Sequence, residues 1–239
     1  NSFLKEKIIM KAMILSAGYG KRLNPLTLQY PKPLLKIYNE TLLSNTIKFL
    51  ESYGIKHAVI NVHYLGDQII EYVKKNKFNL DIKIIREEEI LDTGGGILNA
   101  IQHFDEAFLC INPDTIWRSE YINELNSFEK DFFTKKSKCS MLVVNKQKSF
   151  DKSFSGDFNL ENGLINRKNK DDLQYIYTGL QIIKPEIFQG IDKKIFSINT
   201  IWNKLIESKE LYGFTSNNNF LHVSTLNVYE NLLKKLNIK

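Results

Sequence analysis

Short apolar runs alternate with segments of helical period through the first half of the chain, the order expected of βα units stacked on a mostly parallel sheet. Met10 to Leu15, Ala58 to Val62, Ile82 to Ile85 and Phe108 to Ile111 read as successive buried strands. Between them, Leu43, Ile47 and Leu50 recur at helical spacing before Gly54, a residue suited to ending a helix. Ile69, Ile70 and Val73 mark a second helix. Ile97, Leu98 and Ile101 mark a third that begins directly after Thr93-Gly94-Gly95-Gly96, and Tyr121, Ile122, Leu125 and Phe128 mark a fourth. After a strand from Met141 to Val144 the pattern changes. Residues 146–176 are rich in Lys, Asn, Asp and Ser and carry Asn162-Gly163 between short alternating segments, which predicts a β-hairpin excursion. Tyr177 to Ile183 returns to strand, Ile198 to Ile206 reads as a helix feeding a strand from Leu211 to Phe214, and strand-like Leu221-His222-Val223 precedes a C-terminal helix from Asn227 to Leu236. The fold class is therefore α/β, a doubly wound, mostly parallel sheet with a hairpin excursion and a C-terminal helix.

Composition narrows the classes. With 239 residues, 43% hydrophobic and 25% charged, the chain can bury a large core and is expected to form a single domain over 1–239, with 1–9 an N-terminal extension and 146–176 an insertion. No apolar run approaches the roughly 18 residues that cross a bilayer, so no membrane partner is expected. Asn1 to Ile9 lacks the long apolar stretch of a secretory signal, which points to the cytoplasm. Cys110 and Cys139 stand alone and fit neutral thiols of a reducing compartment. The formal charge of +6 comes from lysines scattered along the chain and not from one basic block interleaved with aromatics. Solvated faces explain it, and no nucleic-acid partner is expected.

In an open α/β sheet, ligands sit beyond the carboxyl ends of the strands, and three segments land there. The first is Ser16-Ala17-Gly18-Tyr19-Gly20-Lys21-Arg22-Leu23, where Gly18 and Gly20 let the backbone turn sharply and approach anionic oxygens while Lys21 and Arg22 supply charge. It lacks the third glycine of a dinucleotide fingerprint and the Gly-Lys-Ser/Thr ending of a P-loop. Pro31-Lys32-Pro33 follows, and its prolines disfavour helix at Tyr30 and Lys32, so Lys32 is a cation presented from a stiff segment. The second is Leu91-Asp92-Thr93-Gly94-Gly95-Gly96, whose free N–H groups suit a phosphate, a flat base edge or simply a helix start. The third is Asn112-Pro113-Asp114 at a strand end, where a hard carboxylate suits Mg²⁺ or serves as a turn residue.

Together these segments resemble the sugar-1-phosphate nucleotidyltransferases, or nucleotide-sugar pyrophosphorylases. The family's opening signature Ala-Ala-Gly-x-Gly-x-Arg-x-x-Pro-x-Thr stands here as Ser16 to Thr27, with Ser16 its one departure, and its Pro-Lys-Pro-Leu stands as Pro31 to Leu34. Leu91 to Ile97 is similar to its base-contacting segment, Asn112-Pro113-Asp114 to its Asn-x-Asp metal segment, and Tyr177-Thr178-Gly179 to its sugar-side strand. Phe196 to Trp202 and Leu221 to Thr225 resemble the short branch of N-acetylmuramate α-1-phosphate uridylyltransferases and mannose-1-phosphate guanylyltransferase-like proteins. Many members place a second metal-binding Asp where this chain has His222. That histidine either binds a different metal such as Mn²⁺ or, as we favour, is packed or faces phosphate.

The resemblance implies a Rossmann-like fold and transfer of a nucleoside monophosphate from a nucleoside triphosphate to a sugar 1-phosphate, with pyrophosphate released. The pairs it suggests are UTP with N-acetylmuramate α-1-phosphate or GTP with mannose 1-phosphate. Arg22 and Lys32 are the expected catalytic cations. Ala17, Gly18, Gly20, Lys21, Thr93, Gly94 and Gly95 are expected around the nucleotide, Asn112, Thr178, Gly179 and Asn199 on the sugar side, and Asp114 on Mg²⁺ or Mn²⁺. A monomer or homodimer is implied. The alternatives are a cytidylyltransferase charging a non-sugar phosphate such as phosphocholine, with Tyr177 and Trp202 as a headgroup pocket, or a non-catalytic nucleotide sensor.

Overall fold

The computed structural model describes residues 10–236, so the extension expected at 1–9 lies outside the described residues. The first half runs β1 (Ala12–Leu15), a small ribbon of β2 (Lys36–Ile37) and β3 (Glu40–Thr41), α1 (Leu42–Tyr53), β4 (His57–Val62), α2 (Gly66–Lys75), β5 (Asp81–Arg86), α3 (Asp92–Ala100), β6 (Phe108–Ile111) and α4 (Glu120–Thr134). The second half runs β7 (Cys139–Asn145), the hairpin β8 (Asn159–Glu161) and β9 (Leu164–Asn166), β10 (Tyr175–Ile183), α5 (Asn199–Glu207), β11 (Leu211–Ser216) and α6 (Leu226–Leu236). Among the described residues no helix is long and apolar enough to cross a membrane.

The main sheet has the order β5-β4-β1-β6-β10-β7-β11-β9-β8. β5, β4, β1 and β6 are parallel neighbours, as are β7 and β11, while β10 runs antiparallel between β6 and β7. The reversal carries Tyr175 to Gly179 to the same sheet edge as the carboxyl end of β6. Because side chains alternate along a strand, β1 sends Ile14 into one core with α1 and α4 (Leu43, Ile47, Leu125, Phe128) and Met13 into a second with α3 and α5 (Ile97, Ile201, Trp202). A third cluster, Leu23, Leu35, Ile37, Val223, Tyr229 and Leu232, packs α6 beneath the segment that follows β1.

The structure departs from the sequence reading at three places. α3 begins at Asp92 and takes the three glycines into its first turns, where a start after Gly96 was expected. Asp92 Oδ1 accepts the Thr93 N–H at 2.6 Å, and the chain at 194–196 presses against the glycine run. A Cβ on Gly94 would lie 2.4 Å from Phe196 Cε2, and one on Gly95 2.2 Å from Lys194 O. Leu221 to Val223 forms no ladder strand and makes a single bridge, Thr115 with His222. Lys32 opens a short 3₁₀ turn, Lys32–Leu34, where the flanking prolines were expected to disfavour helix. Pro33 sits early in that turn, where no donor is needed, and Leu34 and Leu35 N–H donate to Pro31 O and Lys32 O.

Candidate active site

The loop after β1 is shaped by one left-handed glycine. Gly20 has φ +64°, and a Cβ there would stand 3.0 Å from Thr27 Cγ2 and 3.1 Å from Lys32 Cβ. This tight corner lets the Lys21–Leu23 turn fold back so that Leu23 N–H donates to Gly20 O at 2.9 Å. Arg22 emerges exposed from that turn, and among the described residues nothing pairs with it. Lys21 lies over the Tyr19 ring, 5.1 Å from its centroid. Gly18 is different: a Cβ there would meet nothing within 4 Å, so the position borders open space. Beyond the strand ends lies a cleft of about 640 Å³ whose wall includes Ala17, Gly18, Gly20, Lys21, Arg22, Lys32, Thr93, Asn112 and Asp114.

Asp114, at the carboxyl edge beside β6, is the electrostatic centre of this wall. Lys32 Nζ lies 2.5 Å and His222 Nε2 3.2 Å from its Oδ2. Burial alone would raise the carboxyl, but the charges of Lys32 and His222 prevail and hold it well below the usual carboxylate range. Its Oδ1 is buried and, among the described residues, has no hydrogen-bond partner. His222 stacks on Phe220, with ring centroids 5.5 Å apart and 16° between planes. The histidine is thus packed against Phe220 and turned onto the carboxylate. No group of three or more His, Cys, Asp or Glu able to hold a metal occurs among the described residues. An orphaned carboxylate oxygen fits one edge of a hard cation whose remaining ligands come from elsewhere.

Several expected residues lie outside the cleft wall. Gly94 and Gly95 are buried against Phe196 and Lys194, so their lack of a side chain serves close packing. Thr178 is fully buried and donates through Oγ1 to Leu142 O at 2.8 Å. Gly179, at φ +92°, occupies a bulge in β10 and accepts the Asn112 N–H at 2.7 Å, so it sets Asn112 in place from behind. Asn199 is exposed at the start of α5, and its Oδ1 accepts from Arg167, whose guanidinium also lies over Phe158. Tyr177 and Trp202 meet edge to face at 4.9 Å, and Trp202 Nε1 donates to buried Gln181 at 3.0 Å. Core packing occupies these two aromatics, so they do not form the headgroup pocket considered for a phosphocholine-type acceptor.

Two residues missed in the sequence line the same cleft. Asn61 interrupts the apolar run of β4. Its Oδ1 accepts Ser16 N–H at 2.9 Å and its Nδ2 donates to Glu87 Oε1 at 2.8 Å. Glu87 is 4% exposed. Burial pushes its carboxyl up, against the pull of bonds from Asn61 and Leu91 and of His63. A polar residue inside an otherwise apolar strand was the available signal for Asn61. Glu87 was hidden among three successive glutamates.

A family profile described as nucleotidyl transferase matches residues 11–154, which includes the glycine turn, both cations and Asp114. The N-acetylmuramate alpha-1-phosphate uridylyltransferase of Caulobacter vibrioides is 26% identical over 219 residues, with 89% of this chain and 90% of that protein covered. The mannose-1-phosphate guanyltransferase of Kluyveromyces lactis is 31% identical over 215 residues, covering 86% of this chain and 58% of its own length. In fold, the crystal structure of HddC from Yersinia pseudotuberculosis superimposes with a TM-score of 0.78 at 22% identity, over 95% of this chain and 99% of that one. The matched segment carries the residues that meet across the cleft, and the chain belongs to the nucleotidyl transferase family.

Proposed function

We propose that the chain transfers a nucleotidyl group from a nucleoside triphosphate to a sugar 1-phosphate. A phosphate oxygen of the sugar 1-phosphate attacks the α-phosphorus, the bond from that phosphorus to the bridging oxygen breaks, and pyrophosphate leaves with the electron pair. The attacking phosphate is ionised at neutral pH, so no general base is needed, and catalysis rests on holding two polyanions in line and neutralising their charge. The observation that carries this reading is the meeting of Lys32 and Asp114 at 2.5 Å on a cleft wall that also exposes Arg22.

In this reading Arg22 faces the β- and γ-phosphates, where negative charge accumulates as pyrophosphate departs. Lys32 exchanges the Asp114 carboxylate for the α-phosphate or the sugar phosphate when substrates enter. Ala17, Gly18 and Thr93 frame the ribose and base, the open space at Gly18 admitting close backbone approach. Asn112, steadied by Gly179, faces the sugar. Asp114 would hold Mg²⁺ through its free Oδ1, and the ion when bound neutralises phosphate oxygens. The test is pyrophosphate release with five triphosphates (ATP, CTP, GTP, UTP and dTTP), each alone and with sugar 1-phosphates. Release that requires both reactants supports transfer. Tight triphosphate binding with no product across the panel would favour a sensor instead.

A further inference from the structure

We propose that the hollow between the turn at 185–191 and α5 is a second ligand site, one that takes a neutral sugar ring and is coupled to the nucleotide cleft. β10 runs antiparallel to β6 and β7, and β7 runs parallel to β11. Lys138 before β7, Glu186 after β10 and Glu210 before β11 therefore gather at the sheet edge opposite the cleft. The hollow there measures about 610 Å³, close to the 640 Å³ of the cleft itself and ample for a small molecule. Its floor is apolar, with Ile201 and Leu205 from α5 and Ile191 from the turn, and its rim carries charges of both signs. Lys138 Nζ lies 3.8 Å from Glu186 Oε1 and 3.8 Å from Glu210 Oε1, and all three side chains are half-exposed. That spacing is too long for a hydrogen bond, so the lysine and both Oε1 atoms keep capacity for a ligand. Glu210 is steadied from its other oxygen, which accepts Ser208 Oγ–H at 2.7 Å.

The balance of charge selects the ligand. Lys204 adds a second ammonium to the rim, so two lysines stand against two glutamates. An anion entering the hollow meets two carboxylates, and a cation meets two ammonium groups. A hydroxyl both donates and accepts, whereas a carboxylate only accepts and an ammonium only donates. Neighbouring hydroxyls on one ring can thus give to a glutamate and receive from the lysine beside it, with no net charge to desolvate. The C–H face of the same ring suits the isoleucine and leucine floor. A monosaccharide without phosphate supplies both features.

Both walls of the hollow lead to the cleft. α5 starts where Ile198 N–H donates to Thr93 Oγ1 at 2.9 Å, and Thr93 lines the cleft. The same helix brings Leu205 to the hollow at its other end. The turn continues from Ile191 to Ile195, a cleft residue, and then to Phe196, whose N–H donates to Leu91 O at 3.2 Å and whose O accepts Gly95 N–H at 3.0 Å. Phe196 and Lys194 pack on Gly94 and Gly95 without room for a methyl group. A ligand that shifts the turn or α5 therefore shifts the start of α3 on the cleft wall, and the coupling acts equally in both directions.

The experiment is calorimetric titration of the full chain with glucose, mannose, N-acetylglucosamine and glucose 1-phosphate, in the absence of nucleotide. At least one neutral sugar is expected to bind. The Glu186→Ala/Glu210→Ala double variant and Lys138→Ala should each weaken that sugar at least about tenfold, as loss of hydrogen bonds to charged groups does. Asn112→Ala, on the cleft wall, should leave it unchanged, and thermal melts verify that each variant is folded. UTP and GTP are then titrated with the sugar saturating. The affinity of the triphosphate that binds should move at least about fivefold in the parent and not in the double variant. The proposal is overturned if no neutral sugar binds, if only the sugar phosphate binds, or if binding is lost in Asn112→Ala and kept in the double variant. Triphosphate affinity indifferent to the sugar, or no triphosphate binding at all, overturns the coupling. These titrations require no turnover, so failure to release pyrophosphate counts against the transfer reading alone.

Discussion

The pairing of Lys32 with Asp114 makes a prediction in which stability and turnover part company. Their side chains are 13% and 20% exposed, so removing one partner strands a largely desolvated charge. For buried pairs that costs roughly 3–5 kcal/mol, whereas replacing both partners by neutral groups of similar shape is close to neutral. Asp114→Asn leaves Lys32 and His222 facing an amide, and with partial exposure the lower end applies, about 3 kcal/mol. Lys32→Met costs less, about 2 kcal/mol, because His222 Nε2 still lies 3.2 Å from the carboxylate. The double variant should return to within about 1 kcal/mol of the parent, a coupling well above the roughly 0.5 kcal/mol scatter of independent sites. In a chain of this size Asp114→Asn should lower the melting temperature by about 6–12 °C. Urea unfolding followed by circular dichroism measures the cycle, and turnover is read on the same samples. All three variants should lose about 10²–10³-fold in turnover, because charge stabilisation in the transition state does not return when the fold is relieved. Strictly additive stability losses would show that the two side chains do not share one buried electrostatic unit, and the reasoning from their contact would fail.

Arg22→Ala should leave the urea midpoint unchanged, since the side chain is exposed and unpaired among the described residues, yet reduce pyrophosphate release by about 10²–10³-fold; a large loss of stability with normal turnover would refute the assignment. Gly18→Ala should fold like the parent, because its Cβ meets nothing within 4 Å, and still weaken nucleotide binding at least about tenfold if the base and ribose lie there. Gly95→Ala should show the opposite, a stability loss of about 1–3 kcal/mol or more from overpacking, since its Cβ would fall 2.2 Å from Lys194 O. Thermal melts and calorimetry separate the two glycines. Because the Asp114 carboxyl is held low in the folded state, its contribution is present above the unfolded value of about 3.9 and fades as pH falls below it. Stability of the parent should therefore drop more steeply than that of Asp114→Asn as the pH is lowered from about 5 toward 2, measured by urea midpoints at each pH.

The layered fold was legible because alternation and helical period are local signals. Met13 and Ile14 face opposite cores as a buried strand demands, and Leu43, Ile47 and Leu50 fall on one face of α1. That Lys32 and Asp114 share one edge was legible from the rule that strand ends gather there and from the resemblance, but their direct contact across 82 positions was not. What escaped was set by tertiary contact. The glycine run of α3 carried no local sign that Phe196 and Lys194 would press on it, so its helix start was placed too late and Gly94 and Gly95 were expected at the ligand. Thr178 and Asn199 are polar residues at the correct edge, but backbone geometry in the β10 bulge and the reach of Arg167 from beyond β9 turn their side chains to other partners. Glu87 carried no pattern at all, since its burial depends on Asn61 and on the space left by Gly96.

The C-terminal segment links these observations to catalysis. Lys32 and Asp114 sit on separate loops, and each would be free to drift if it depended on its own neighbours. The loop of Lys32 is pinned by α6, where Leu35 and Ile37 pack with Tyr229 and Leu232 and Tyr229 OH donates to Lys36 O at 2.6 Å. The loop of Asp114 is pinned by the chain just before α6, with Val223 N–H donating to Asp114 O and Ile116 N–H to Leu221 O, both at 2.8 Å. One continuous stretch, 221–236, therefore fixes both charges relative to one another before any ligand arrives. Charge stabilisation lowers a barrier only to the degree that its dipoles need no reorganisation when the reaction occurs. Tyr229→Phe removes one strut of that frame while leaving every charged group in place. Its effect should fall on turnover and not on nucleotide binding, because the triphosphate can still be gripped by a frame that no longer holds Lys32 in line.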